Sequence, residues 1–323
     1  MQVRWGIIGP GKIARKFADA LTRAPGNSLR AVASRELSRA EAFAKTFGAS
    51  RAYGDYEQLA RDEEVDVVYV ATPHAYHKAH SIISMQHGKA VLCEKPMSVN
   101  YASTQAMVDV ARAQGVFLME AFWTRFMPLT LALEELLKRQ AIGELKYVRA
   151  DFGVAFDFDA ESRIFNLHLG GGSLLDVGVY PLFLALLFLG KPRHIKSVVV
   201  KSKTGSDDLM NAMLTYENGC VANVLSSTYC KTPQTADIIG TTGSIHIPAA
   251  WWKAKSLALT RGNETINVEG NYPGNGYEFE IAEVQRCLAD GKKESDLLPL
   301  SFSLLMSEVT ESILKQHGIT YEG

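Results

Sequence analysis

Short apolar runs alternate with longer amphipathic stretches over the first 120 residues of the chain. Val3 to Ile8 is one such run, and Val65 to Ala71 and Ala90 to Cys93 are others. Runs without polar alternation suit strands covered on both faces, as in a parallel sheet. The same pattern predicts strands at Leu29 to Ala33, Arg51 to Tyr53 and Val116 to Glu120. Helical periodicity falls between them, from Gly11 to about Leu21, Tyr56 to Asp62, His77 to His87 and Val99 to Gln114, where Gly115 provides a stop. Six strands joined by crossover helices make a doubly wound sheet.

Beyond Glu120 the period changes. Trp123 to Pro128 is a connector and Leu129 to Arg139 a helix. From Leu145 to Phe156, the apolar residues Val148, Ala150, Phe152, Val154 and Phe156 alternate with more polar ones, the mark of a strand with one buried face. Strands are also predicted at Ile195 to Lys201, Ala212 to Tyr216 and Val221 to Ser227, the last two joined by an Asn218-Gly219 turn. Others follow at Ala236 to Gly240, Ser244 to Ile247, Leu257 to Arg261 and Thr265 to Val268, with closing helices at Tyr277 to Ala289 and Leu300 to His317. The expected fold is therefore α/β: a doubly wound Rossmann sheet over residues 1–122, then an α+β domain over 123–323 with a large, open, mostly antiparallel sheet.

Three motifs carry chemistry. Gly9-Pro10-Gly11-Lys12-Ile13-Ala14 sits between the first strand and first helix. It is the G-x-G-x-x-A dinucleotide fingerprint, in which glycines admit a tight turn and a close pyrophosphate while the helix N-terminus offers amides. The second strand ends in Ser34-Arg35, where an NAD site usually places an acid for the ribose 2′-hydroxyl. A hydroxyl and a guanidinium suit a 2′-phosphate, with Arg39 one turn on, so NADP is expected ahead of NAD. An inward-pointing Glu36 would weaken that preference. Thr72, Pro73 and His74 close the fourth strand and are expected beside a nicotinamide, with His77 near the cofactor at the next helix start. The spacing of His74, His77 and His80 drifts around a helix with no acidic or cysteine partner nearby, so no metal site is expected.

The second motif is Glu94-Lys95-Pro96, directly after the fifth strand. Ligands of open α/β sheets bind just beyond the carboxyl ends of the strands, and the proline restricts the backbone from which the Lys95 side chain leaves. The third is Gly170-Gly171-Gly172-Ser173 followed by Asp176 and Tyr180, four residues apart and thus on one helix face. A buried aspartate and tyrosine need partners.

Composition narrows the field further. With 34 basic and 35 acidic side chains, the net charge is −1. No lysine or arginine run offers a patch for nucleic acid or an anionic membrane. Four scattered cysteines suggest neither a disulfide framework nor a metal knuckle and fit a cytoplasmic protein. The start of the chain lacks the pattern of a secretory signal. The apolar run Val177 to Leu189, interrupted by Gly178 and Pro181, is too short to cross a bilayer.

Taken together, the fingerprint, Glu-Lys-Pro after the fifth strand and a triple glycine followed by Asp-x-Gly-x-Tyr resemble the glucose–fructose oxidoreductase/inositol dehydrogenase (Gfo/Idh/MocA) family. Glu120-Ala121-Phe122-Trp123-Thr124-Arg125-Phe126 and Tyr180 resemble its dimeric dihydrodiol dehydrogenase branch, which includes NADP-dependent xylose dehydrogenases; many other members carry histidine in place of Tyr180. The resemblance implies hydride transfer between NADP and a sugar or a cyclic trans-diol. It implies Lys95 as the catalytic lysine, Tyr180 as the acid/base and Asp176 as an orienting group, with Glu94 and Arg163 near the cofactor. It also implies a homodimer formed through the open sheet face, with alternating apolar positions such as Phe152 and Val154 at the interface. Two other roles use the same fold: a non-catalytic NADP-sensing regulator, and a redox-assisted glycosidase or lyase. A regulator would have no need of Lys95, Asp176 and Tyr180 together.

Overall fold

The computed structural model describes residues 2–322. In chain order the elements are β1 (Val3–Ile8), α1 (Lys12–Leu21), β2 (Asn27–Ala33), α2 (Leu37–Phe47), β3 (Arg51–Tyr53), α3 (Tyr56–Ala60), β4 (Val67–Val70), α4 (His77–Gln86), β5 (Ala90–Glu94), α5 (Tyr101–Gln114) and β6 (Leu118–Ala121). There follow α6 (Pro128–Lys138), β7 (Leu145–Gly153), α7 (Val179–Leu189), β8 (His194–Lys201), β9 (Asp207–Thr215), β10 (Val221–Ser227), β11 (Ala236–Gly240), β12 (Ser244–Ile247), β13 (Ser256–Arg261) and β14 (Glu264–Glu269). The chain closes with α8 (Tyr277–Ala289) and α9 (Leu300–Gln316).

Contacts divide the chain into two compact units. The first comprises the residues up to Phe126 together with Pro273–Leu304; the second comprises Met127–Tyr272 and Leu305–Glu322. The single continuous domain over 123–323 read from the sequence is therefore not how the contacts fall. Helix α8 packs on α1, and Tyr277 stacks on Trp123 with ring centroids 5.1 Å apart, which binds residues 273–304 to the first unit.

The first unit is built on a parallel sheet in the order β3-β2-β1-β4-β5-β6. Its central strands are apolar on both faces because helices cover both, and Trp5, Ile7, Tyr69, Val91 and Leu92 are fully buried. Trp5 donates its indole N–H to Asn27 Oδ1 at 2.8 Å, and Phe17 of α1 stacks on Tyr69 at 3.8 Å. The order reverses between β1 and β4, where their carboxyl ends open a crevice suited to a ligand. Helix α5 starts at Tyr101, two residues later than its apolar pattern suggests, because Asn100 accepts from the Ser103 amide at 2.8 Å and caps it.

The second unit holds an eight-stranded sheet in the order β14-β13-β12-β11-β7-β10-β9-β8, in which only β7 and β10 pair in parallel. Strand β9 begins at Asp207, well before the predicted Ala212. Helix α7 packs on β7 and β10, preceded by a π-helical turn at Leu174–Gly178. The helical stretch Leu167–Leu189 is long and apolar enough to cross a membrane by composition, yet 83% of its apolar window is buried within the protein. Phe152 belongs to the helix-covered face, where it stacks on Trp252 at 3.5 Å, and not to the open face expected from its alternation. Side chains alternate across a strand, and the register puts Val198, Val200, Met213 and Ile239 on the opposite, exposed face.

Candidate active site

In the first unit the carboxyl ends of β1, β4 and β5 lie side by side, so Gly9, Thr72 and Lys95 leave neighbouring strands. Gly9 has φ +88°, and a Cβ there would come within 2.9 Å of the Ala71 carbonyl oxygen and of Thr72 Cγ2. The turn therefore requires glycine. Gly11 differs: a Cβ would meet nothing nearer than the Gly9 carbonyl oxygen at 4.0 Å. Gly11 is also the N-cap of α1 and supplies no side-chain cap. The first amides of α1, at Lys12 and Ile13, thus head a helix whose N-terminus is left open by the absence of a side chain, a cradle fitted to a phosphate group. Pro10 lies between the two glycines.

The second strand end supplies polar groups. Ser34 is buried, and its hydroxyl accepts from the Glu36 amide at 3.4 Å. The Glu36 side chain is 68% exposed and points outward, 4.0 Å from Arg39. Arg35 is exposed at the surface, and its charge reaches His80, which burial foremost, then His77 and Arg35, push down to about 4.

His77 lies fully buried. Its ring nitrogens sit 2.9 Å from the Pro96 carbonyl oxygen and 2.8 Å from that of Thr72, and burial pushes its pKa down to about 4. This residue braces the loop after β4 against the loop after β5, so its influence on any ligand runs through those loops. His74 is buried beside it, with ring centroids 5.6 Å apart. Thr72 Oγ1 lies 3.0 Å from His80 Nδ1, and Pro73 precedes the short helical turn His74–Tyr76. The Lys95–Pro96 peptide is cis.

The first unit also buries three acids, Glu94, Glu120 and Glu280, of which the sequence had singled out the first two. Tyr69 donates its hydroxyl to Glu94. Glu120 accepts from the Met97 amide at 2.9 Å and from the Ser303 hydroxyl; burial pushes it up to about 7, against these two hydrogen bonds and then Lys95, which pull it down. Glu280 on α8 is wholly buried with neither carboxyl oxygen hydrogen-bonded among the described residues; burial, then Glu94, push its pKa well above the ordinary value. Glu280 reads locally as one more acid in the first turn of an amphipathic helix, so nothing near it in sequence marks it.

The second unit presents Arg163, Asp176 and Tyr180. Arg163 donates from Nη1 to Asp176 Oδ1 at 2.8 Å; the aspartate is nearly enclosed and the arginine half exposed. Tyr180 opens α7 against an aromatic wall, its ring 5.4 Å from Phe152 and 6.1 Å from Trp252. The turn before it rests on Asp207, which sequence reading missed because Asp207 lies on another strand. Asp207 Oδ2 accepts from the Ser173 hydroxyl at 2.7 Å and the Leu174 amide at 2.6 Å, and burial pushes its pKa up to about 6. Among the described residues, no group of three or more His, Cys, Asp or Glu side chains could hold a metal ion.

The chain matches known proteins from end to end. Residues 3–122 match a family described as an oxidoreductase family with an NAD-binding Rossmann fold, and residues 130–246 match the GFO/IDH/MocA C-terminal domain. A trans-1,2-dihydrobenzene-1,2-diol dehydrogenase of Mus musculus is 40% identical over 330 residues, covering 99% of this chain and 98% of its own. Among solved structures, KijD10, a 3-ketoreductase from Actinomadura kijaniata crystallised with TDP-benzene and NADP, superposes with a TM-score of 0.84 at 25% identity, covering 97% of each chain. An aldose-aldose oxidoreductase from Caulobacter crescentus shares the fold, with a TM-score of 0.90 at 24% identity over 98% of each chain.

Proposed function

The chain belongs to the GFO/IDH/MocA oxidoreductase family, and from that premise we propose that it transfers a hydride between NADP and the CH–OH group of a cyclic trans-dihydrodiol or an aldose. The observation that carries this reading is the extent of the 40% identity with the mouse diol dehydrogenase. It spans the cradle at Gly9–Ile13 and the helix of Asp176 and Tyr180 alike.

In this reading the amides around Pro10, Gly11, Lys12 and Ile13 hold the pyrophosphate, while Ser34, Arg35 and Arg39 hold a 2′-phosphate. The outward course of Glu36 supports NADP over NAD, because no carboxylate then competes for the ribose. Thr72, Pro73 and His74 flank the nicotinamide, His77 steadies the loops, and Glu94, Lys95 and Arg163 complete the cofactor contacts. Bound NADP supplies the hydride acceptor or donor. Tyr180 moves the hydroxyl proton at its phenolic oxygen. An unperturbed phenol has a pKa of about 10 and is a weak base at neutral pH, and a neighbouring cation lowers that value; in this reading Lys95 is the family's catalytic lysine. Asp176, held by Arg163, orients the substrate or the tyrosine.

The protein works in the cytoplasm as a homodimer, with the exposed Val198, Val200, Met213 and Ile239 face covered by a second copy. Light scattering should give twice the 35.5 kDa chain mass at micromolar concentration; a monomer mass overturns the assembly. For the chemistry, NADP⁺ reduction is followed at the nicotinamide absorbance across trans-dihydrodiols, aldoses and inositols. Turnover of a diol or aldose supports the reading. Cofactor binding without turnover of any of them would favour a sensor, and tightly held cofactor that never exchanges would favour a redox-assisted lyase or glycosidase.

A further inference from the structure

Three glycine and serine positions in the stretch before Tyr180, Gly172, Ser173 and Gly178, meet one buried polar pair on the sheet. A Cβ on Gly172, whose φ is +134°, would lie 2.2 Å from Asp207 Oδ1. One on Gly178 would lie 2.6 Å from Ser226 Oγ. Ser173 bridges the two, its hydroxyl 2.7 Å from Asp207 Oδ2 and 2.9 Å from Ser226 Oγ. The Leu174 amide donates to Asp207 Oδ2, which places a carboxyl at the first turn of the helical segment where it complements the exposed amides. Gly171 extends the seat: its amide donates to the Asn166 carbonyl at 2.9 Å, and its carbonyl accepts from the Tyr321 hydroxyl. Asp207, Ser173 and Ser226 are all fully buried. The glycines are thus the spaces into which this polar pair fits, and the conformational freedom that Gly172 supplies serves that fit.

We propose that Asp207, seconded by Ser226, is a positioning residue that fixes the start of the helix carrying Asp176 and Tyr180. Its effect on turnover rests on the reading of Tyr180 as the proton-transfer group; its effect on the helix does not. Asp207 reaches Tyr180 through backbone rather than through substrate. Placement errors of about 1 Å can cost about a hundredfold in rate, so a helix start without its seat should be felt in kcat and not in cofactor binding.

The test uses the full chain and three variants. Asp207→Ala removes the seat, Asp207→Asn keeps an acceptor of the same shape, and Leu214→Ala opens a cavity in the core at the far end of the same strand. Hydrogen exchange should show amides of residues 174–180 losing protection at least about tenfold in Asp207→Ala, with smaller changes in β8 and in the far half of β9. kcat for the best substrate should fall roughly ten- to a hundredfold at unchanged NADP affinity, and Asp207→Asn should recover most of both losses. Equal exchange in Asp207→Ala and wild type overturns the proposal. So does Leu214→Ala producing the same local exchange and the same kcat loss at a matched melting temperature. If the wild type turns over no substrate in the panel, the reading of Tyr180 fails, and the exchange pattern alone decides the role of Asp207.

Discussion

The candidate residues of the two units are held by different means. In the first unit the cradle is backbone: a glycine in a positive-φ turn, a second glycine with open space beside it, and a helix N-terminus without a side-chain cap. In the second unit the candidate groups are side chains held by other side chains, Asp176 by Arg163 and the helix start by Asp207 and Ser226. A backbone site is written in consecutive residues. A side-chain site is assembled from strands far apart in the sequence, and each partner alone looks ordinary.

That difference can be broken most forcefully at Tyr180. Tyr180→Phe keeps the ring against Phe152 and Trp252 and deletes only the oxygen, so the aromatic packing and the first unit's cradle should be retained. General acid–base groups supply about 10²–10⁴-fold, and kcat should fall by that factor at unchanged NADP affinity. Lys95→Met should cost a comparable factor. The double variant should be little worse than the worse single one, since members of one catalytic unit are strongly non-additive. Multiplicative losses would mean that the two residues act independently, and near-normal turnover in Tyr180→Phe would move the proton transfer elsewhere.

Legibility followed the same line. The six strands of the first sheet were readable because most are short apolar runs separated by helical stretches, whereas their order β3-β2-β1-β4-β5-β6 is seen only in the structure. The return of α8 to the first unit was not, since the stack of Tyr277 on Trp123 joins residues with no common local pattern. Phe152 was assigned to the wrong face of the sheet. Alternation says that one face of a strand is buried but not which neighbour buries it, and Trp252 does so. The motif glycines announced themselves, while Asp207, the reason for Gly172, did not.

The first unit also contains side chains that depend on distant partners, and pH should expose one of them. Glu120 is fully enclosed and pushed up to about 7, from an ordinary 4.5, chiefly by burial. Because the folded value lies above the unfolded one, the folded state holds the proton more tightly. Its contribution is complete below pH 4.5 and is lost as pH rises through 7. A shift of that size corresponds to about 3 kcal/mol at most. Denaturant midpoints of the wild type should therefore fall between pH 5 and pH 8 by more than those of Glu120→Gln. Parallel pH dependences would show that Glu120 titrates as it does in the unfolded chain.

The cofactor preference sharpens the comparison at the exposed rim of the cradle. Arg35→Asp replaces a guanidinium suited to a 2′-phosphate with a carboxylate suited to a 2′-hydroxyl. A charge-assisted hydrogen bond contributes about 1.5–3 kcal/mol, so the ratio of NADP to NAD affinity should drop roughly ten- to a hundredfold. Titrating both cofactors by quenching of protein fluorescence measures it. Equal affinity for the two in the wild type would remove the basis for the assignment.

The smallest effect expected is also the cleanest separation of a backbone site from its fold. Gly11→Ala adds a methyl group where nothing lies closer than the Gly9 carbonyl oxygen at 4.0 Å, and the φ of −89° is open to any residue. Alanine is less favoured than glycine at an N-cap, so the change should cost up to about 1 kcal/mol of stability and leave the fold intact. The same methyl occupies the approach to the first amides of α1. A pyrophosphate held there would have to retreat, lengthening its hydrogen bonds, and loss of one such bond is worth about 1.4 kcal/mol, or tenfold in NADP affinity. Calorimetry should thus record about tenfold weaker cofactor binding in a protein that still unfolds in one cooperative transition. Unchanged affinity would place the pyrophosphate away from α1, and the fingerprint would then be only a tight connection between strand and helix.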